Sequence, residues 1–130
     1  MLSARPLLLE DTKNKLIDEI QKVKKINKGI RDIIISYFDG TPIISSTDQE
    51  TEYILAAVAA ALKGIADKVS ITLQSGEFVK LILHYRNEKI ILISINKLHV
   101  LVRALDNAPI GIIIRDSLAL ANKVLDLVPT

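Results

Sequence analysis

IIISYFDGTPII, residues 33–44, reads as two strands and the turn that joins them. Ile33, Ile34 and Ile35 begin a β-branched run that ends at Phe38, and such residues fit a pleated, half-buried surface. Asp39 and Gly40 follow as an Asp-Gly pair, which tolerates the positive φ of a type I′ hairpin. Residues 41–46 are therefore expected to return antiparallel as a second strand. Pro42 has no N–H to give to a ladder, so that strand is expected at an edge.

On the N-terminal side of this hairpin, Leu16, Ile17, Ile20, Val23 and Ile26 recur at three- and four-residue spacing among lysines and acids. That period predicts an amphipathic helix over residues 10–28, with Gly29 as its stop. On the C-terminal side, Thr47 or Asp48 can cap a second helix over residues 49–69, and Glu50 and Glu52 complement its positive end. Ile54, Val58, Leu62, Ile65 and Val69 form one stripe of that helix, while Ala56, Ala60 and Gly64 form a small-residue stripe almost opposite. Its first two-thirds has no charged face. A helix apolar all round is normally buried on more than one side, and 130 residues offer little with which to cover it. A second copy of the chain would cover it; alternatively, the alanines serve only as helix formers.

Ser75 and Gly76 mark a turn before residues 78–85, where Val79, Leu81 and Leu83 alternate with Phe78, Lys80, Ile82 and His84 as a third strand. Residues 89–95 are almost unbroken apolar, as expected of a central strand covered on both faces. Asn96 and Lys97 turn the chain into a fifth strand over residues 98–105, completing a meander. Asp106 or Asn107 is expected to cap a last helix near Pro109, with Leu118, Ala121, Leu125 and Val128 on its apolar side.

Composition narrows the function. Hydrophobic residues make up 49% and charged residues 25%, as in a globular chain with one core. Residues 1–9 read as an N-terminal extension and residues 10–130 as a single domain. Seventeen basic against fifteen acidic side chains leave a net charge of +2, less basic than a dedicated nucleic-acid binder. The five aromatic residues form no stacking platform. No nucleic-acid partner is expected. The absence of cysteine removes disulfides and thiolate metal sites and is compatible with a reducing compartment. Leu7, Leu8 and Leu9 are too short an apolar run for a signal peptide. Residues 53–62, the longest apolar stretch, are half the roughly 20 residues of a spanning helix. No transmembrane segment is expected, and the chain is placed in the cytoplasm. Twenty-one isoleucines with one methionine point to an archaeal or thermophilic source.

The five glycines fit neither a Walker loop nor a dinucleotide fingerprint. His84 and His99 lie in different strands without metal-ligand spacing. No serine sits in a nucleophile elbow. No catalytic residue, cofactor site or metal site is expected, and the chain is read as not an enzyme. Residues 1–30 carry seven basic and four acidic side chains. Lys22, Lys24, Lys25 and Lys28 crowd the negative end of helix one, either as a solvated face or as a dock for an acidic partner or membrane.

The order helix, strand, strand, helix, strand, strand, strand, helix resembles the roadblock family, the dynein light chain roadblock type. IIISYFDGTPII resembles its first hairpin with a D-G-x-P turn, and EYILAAVAAALKGIADKV, residues 52–69, its alanine-rich second helix. Pro109, Ile110 and Gly111 resemble the opening of its last helix. The resemblance implies an α/β (α+β) three-layer sandwich. A five-stranded antiparallel sheet in the order 2-1-5-4-3 would carry helix two on one face and helices one and three on the other. It also implies a homodimer, in which strand three pairs with its twin and the second helices meet across a twofold axis.

Family members serve as adaptors and regulators of Ras-like small GTPases, including a bacterial polarity module whose homodimer accelerates GTP hydrolysis. The resemblance thus implies a non-catalytic homodimeric adaptor or regulator of a Ras-like small GTPase, of the kind found in prokaryotes. The alternative is a scaffolding or small-ligand-sensing module, since longin-like and profilin-like sandwiches share the broad architecture. Self-association is assigned to Ala56, Ala57, Ala60 and Gly64 on helix two and Phe78, Lys80 and Ile82 on strand three. Tyr53, Lys63 and Asp67 are candidates for a GTPase-facing surface, against the plainer role of a solvated helix rim.

Overall fold

Strand pairing organises the chain, and every neighbouring pair in the sheet is antiparallel. The structure is a computed structural model describing residues 10–128, so the expected extension over residues 1–9 lies outside the described residues. The elements are α1 (Glu10–Ile26), β1 (Ile30–Tyr37), β2 (Pro42–Ser45), α2 (Gln49–Leu73), β3 (Lys80–His84), β4 (Glu88–Ile95), β5 (Leu98–Leu105) and α3 (Ile110–Leu127). The sheet order is β2-β1-β5-β4-β3. This is the three-layer sandwich implied by the family resemblance.

Two apolar layers fill the sandwich, and strand alternation separates them. On one face Ile33, Ile35, Ile91, Ile93, Val100 and Val102 meet Leu16 and Ile20 of α1 and Ile113, Leu120 and Val124 of α3. On the other, Ile34, Leu92 and Leu101 meet Leu55, Ala56 and Ala59 of α2. Truncating an anchor such as Leu16, fully buried on α1, to alanine costs about 2–5 kcal/mol. Residues 89–95 do lie inside the sheet, but the middle strand is β5, whose residues Leu98 to Val102 are all buried.

Several element ends differ from the sequence expectation, each for a local reason. α1 ends at Ile26 rather than residue 28. There the backbone N–H and side-chain Nδ2 of Asn27 both donate to the Val23 carbonyl, and Nδ2 also donates to Asp116 of α3 at 2.9 Å. Ile26, expected on the buried stripe, is 74% exposed. β1 begins at Ile30, with a bulge opposite β5 between Ile30 and Asp32. The β1–β2 turn is not type I′: Gly40 alone takes positive φ, at 92°. Gly40 N donates to the Tyr37 carbonyl and Tyr37 N to the Thr41 carbonyl. These bonds close a three-residue loop with a glycine bulge. Pro42 opens the edge strand, as expected.

Asp48 caps α2, its carboxylate accepting from Thr51 N at 2.8 Å. The helix runs one turn past residue 69 to Leu73, and Gln74 ends it in the left-handed conformation. Neither Asp106 nor Asn107 caps α3; Pro109 holds that position without a side-chain bond. α3 buries Ile113, Ser117, Leu120, Ala121 and Val124, with Leu118 and Leu125 half-buried beside them.

Candidate interaction surface

α2 is the element whose burial its sequence leaves ambiguous. Leu55, Ala56 and Ala59 face the sheet, and Leu62 packs behind them. The outward side then carries Tyr53, Ile54, Val58, Ile65, Val69 and Ile71, all at least 36% exposed, with Ala57, Ala61 and Gly64 between them. The large aliphatic stripe therefore faces solvent rather than the sheet.

Exposed apolar side chains recur past the helix, although Ile82, opposite Ile91 of the α1/α3 layer, lies on the other face of the sheet. Val79, Ile82 and Tyr85 around β3 are also exposed, so among the described residues ten of the fifteen exposed large hydrophobic residues lie on α2, β3 and their flanks. Exposed apolar side chains scattered singly need no explanation, but the row of Tyr53, Ile54, Val58, Ile65, Val69 and Ile71 along one helix marks an interaction site. Leu62 of α2 and Phe78 and Leu81 at β3 pack into the same layer between helix and sheet. Among the described residues β3 pairs only with β4, which leaves one row of its backbone groups without a described strand partner and open to another strand. The opposite edge, β2, is four residues long and begins with proline, two features that discourage pairing.

The residues assigned to self-association separate in the structure. Ala57 and Gly64 lie on the exposed side of α2, and Lys80 and Ile82 are exposed on β3 on the sheet face that carries α1 and α3. Ala60 is half-buried, its Cβ being 3.5 Å from where a Cβ on Gly40 would stand. Ala56 is 1% exposed, inside the helix–sheet contact, and is corrected to a core residue. Phe78 is also corrected: it precedes β3 and turns into the α2 layer instead of facing out with Lys80 and Ile82. Ile54, Val58, Ile65 and Val69 read as a stripe in the sequence, but no local signal assigns that stripe to the surface. With both sides of the helix apolar, nothing within α2 itself says which side the sheet takes.

Tyr53 is exposed on the open side. Lys63 and Asp67 lie elsewhere, on the flank where α2 meets the sheet, and the Lys63 ammonium donates to both Asp67 oxygens at 2.7 Å. Below that pair lies His99, fully buried, its pKa held under the ordinary histidine value by burial and then by the Lys63 charge. At the other end of the same sheet face, Arg103 makes two bonds to Glu88 and one to Asp32. Among the described residues no three histidine or acidic side chains are placed to hold a metal ion, and no helix is long and apolar enough to cross a membrane.

Comparison with known proteins gives consistent results. The profile of the Roadblock/LC7 domain matches residues 13–104. A Roadblock/LC7 domain from Streptomyces avermitilis superposes with a TM-score of 0.73 at 13% identity, covering 92% of this chain and 96% of the other. MglB of Myxococcus xanthus gives 0.73 at 13% identity over 86% of this chain and 95% of its own. The gliding protein MglB from Thermus thermophilus gives 0.74 at 13% identity over 94% and 96%. At such identities the structural likeness is one of fold. A search of curated proteins gives no match.

Proposed function

The chain belongs to the Roadblock/LC7 domain family, and on that premise we propose that it is a non-catalytic homodimeric regulator of a Ras-like small GTPase. The observations that carry this reading are the exposed aliphatic outer side of α2 and the β3 edge that no described strand covers. One twofold operation would address both liabilities. β3 would pair with its twin, and the two copies of α2 would shield each other's isoleucines and valines. Such a contact is isologous and closes on itself, so it stops at a dimer.

The dimer would act on the GTPase by differential binding. A platform that fits one arrangement of the switch loops better than another shifts the population toward it. Preferential binding of the hydrolytically competent arrangement would accelerate hydrolysis with the partner's own catalytic groups. Lys63 and Asp67, acting as one ion-paired unit on the flank of α2, are proposed to contribute to the GTPase-facing side, whereas Tyr53 lies on the outer side of α2 used by the proposed dimer contact.

The test begins with the tagged chain as bait in lysate of the source cells, with GDP or a non-hydrolysable GTP analogue present. Enrichment of a Ras-like GTPase with the analogue, followed by faster single-turnover GTP hydrolysis in a mixture of the purified pair, supports the reading. Recovery of the bait alone from both nucleotide states would turn the assignment toward the scaffolding or ligand-sensing alternative. Light scattering, expected to give twice the 14.4 kDa chain mass, checks the dimer separately.

A further inference from the structure

His99 occupies β5 on the sheet face that α2 covers, since it alternates with Val100 in step with Leu101 of the α2 layer. Its register partners are Ser36 of β1 and Ser94 of β4, so the three polar residues form one row across the sheet. His99 is 1% exposed, and neither Nδ1 nor Nε2 has a hydrogen-bond partner among the described residues. The Ser36 hydroxyl, on a residue also 1% exposed, has none either. A neutral imidazole bears such a position at moderate cost. A cation there, with no acceptor to receive its protons, costs far more.

The charged groups facing the ring are Lys63 and Asp67 of α2 and Asp39 of the β1–β2 turn. Lys63 repels a second cation. Asp67 attracts one, but both its oxygens already receive the Lys63 ammonium. Asp39 attracts one from the exposed turn, where its Oδ1 accepts from Thr41 N. Burial and Lys63 outweigh the two acids, and the ring is held below its ordinary value of 6.5.

We propose that His99 is an acid-sensitive latch: protonation of its ring releases the middle of α2 from the sheet, and with it the association surface that α2 carries. The last clause rests on reading α2 as that surface; the latch itself does not. A ring with a docked-state pKa below 6.5 takes up a proton when the helix opens. Docking is thus at full strength above about pH 6.5 and weakens as pH falls from there toward the docked-state pKa. If the ring stays neutral while docked and regains the ordinary value when α2 opens, the opening constant rises roughly thirtyfold between pH 7.5 and pH 5.

Hydrogen exchange by mass spectrometry on the full chain reads this, with rates corrected for the intrinsic pH dependence of amide exchange. In the wild type, α2 amides should lose protection toward pH 5 by up to roughly thirtyfold, while α3 amides keep theirs. His99→Gln and His99→Leu should both abolish the loss of α2 protection toward pH 5. Glu52, the α2 carboxylate that burial pushes upward, is retained in both variants and has the opposite sign. An NMR titration of the wild type needs no variant: His99 should titrate below 6.5. A flat wild-type profile, a loss of α2 protection toward pH 5 that survives in the His99 variants, or a His99 titration at or above 6.5 would each overturn the latch. Light scattering at the same pH values reads association separately, so a chain that never dimerises leaves the exchange result standing.

Discussion

Gly29 and Ala108 touch where the start of β1 passes the junction of β5 and α3: a Cβ on Gly29 would fall 2.5 Å from the Ala108 methyl. The backbone there is pinned, because Leu105 N donates to the Gly29 carbonyl at 2.8 Å. Gly29 reads in the sequence as a helix stop, yet α1 has already ended at Ile26, and close approach explains the glycine better. Gly29→Ala should destabilise the fold by about 1–3 kcal/mol in urea denaturation. Adding Ala108→Gly should restore much of the loss. An unchanged midpoint in the single variant would mean that the two segments part at little cost.

Ile65 and Ala56 are expected to respond in opposite ways to the same substitution. Ile65 is 64% exposed, so Ile65→Glu should leave monomer stability within about 0.5 kcal/mol and convert a dimeric species to monomer in light scattering. Ala56 is 1% exposed and packs in the layer with Ile34 and Leu101. Ala56→Glu buries an unpaired carboxylate there and should cost more than about 4 kcal/mol, seen as loss of the cooperative thermal transition. A dimer that survives Ile65→Glu would move the interface off this side of α2.

Gly64 has no atom within 4 Å of an added Cβ. In a helix interior, Gly64→Ala should stabilise the dilute monomer by about 0.5–1 kcal/mol through backbone entropy alone. Gly64→Leu should keep the fold and weaken self-association at least tenfold, because it fills the space between neighbouring large side chains. Sedimentation equilibrium over a concentration series separates the two effects. Equal association constants for glycine and leucine would exclude this part of the helix from the contact.

Arg103 and Glu88 make a pH dependence that runs through acid. The guanidinium donates from Nε and Nη2 to the two Glu88 oxygens at 2.8 and 3.0 Å, and from Nη1 to Asp32 at 3.0 Å. The Arg103 bonds hold the Glu88 carboxyl below its ordinary 4.5, against an opposing effect of burial. Their contribution is therefore complete above about pH 4.5 and is lost as pH falls through the folded-state value. Arg103→Met should cost about 1–3 kcal/mol at pH 7, and the gap to wild type should narrow by pH 3. A gap independent of pH would assign the effect to packing of the arginine stem.

Much of the architecture was legible from local pattern. The three- and four-residue spacing of Leu16, Ile20 and Val23 marked α1, the β-branched run at Ile33 marked β1, and Pro42 marked the edge. The order of the sheet was legible only through family resemblance, because nothing local tells β1 to pair with β5. Of the residues assigned to self-association, Ala57, Gly64, Lys80 and Ile82 are exposed, whereas Ala56 and Phe78 belong to the α2 layer. The flank occupied by Lys63 and Asp67 could not be anticipated, since it depends on what lies beneath the helix.

By itself the sequence determined which segments are helices and strands, where the edge strand with proline falls, and that α2 has more apolar surface than one sheet can cover. Each of these follows from side-chain period and backbone chemistry, which act within a few residues. Only the tertiary structure decided that Leu55, Ala56 and Ala59 take the sheet while Ile54, Val58 and Ile65 face outward, and that His99 is sealed beneath Lys63. A helix apolar on every side has no preferred face of its own. The choice belongs to the surface it meets: Ile34 comes from β1 before the helix and Leu92 and Leu101 from β4 and β5 after it, and the small Ala56 and Ala59 let the helix approach them closely.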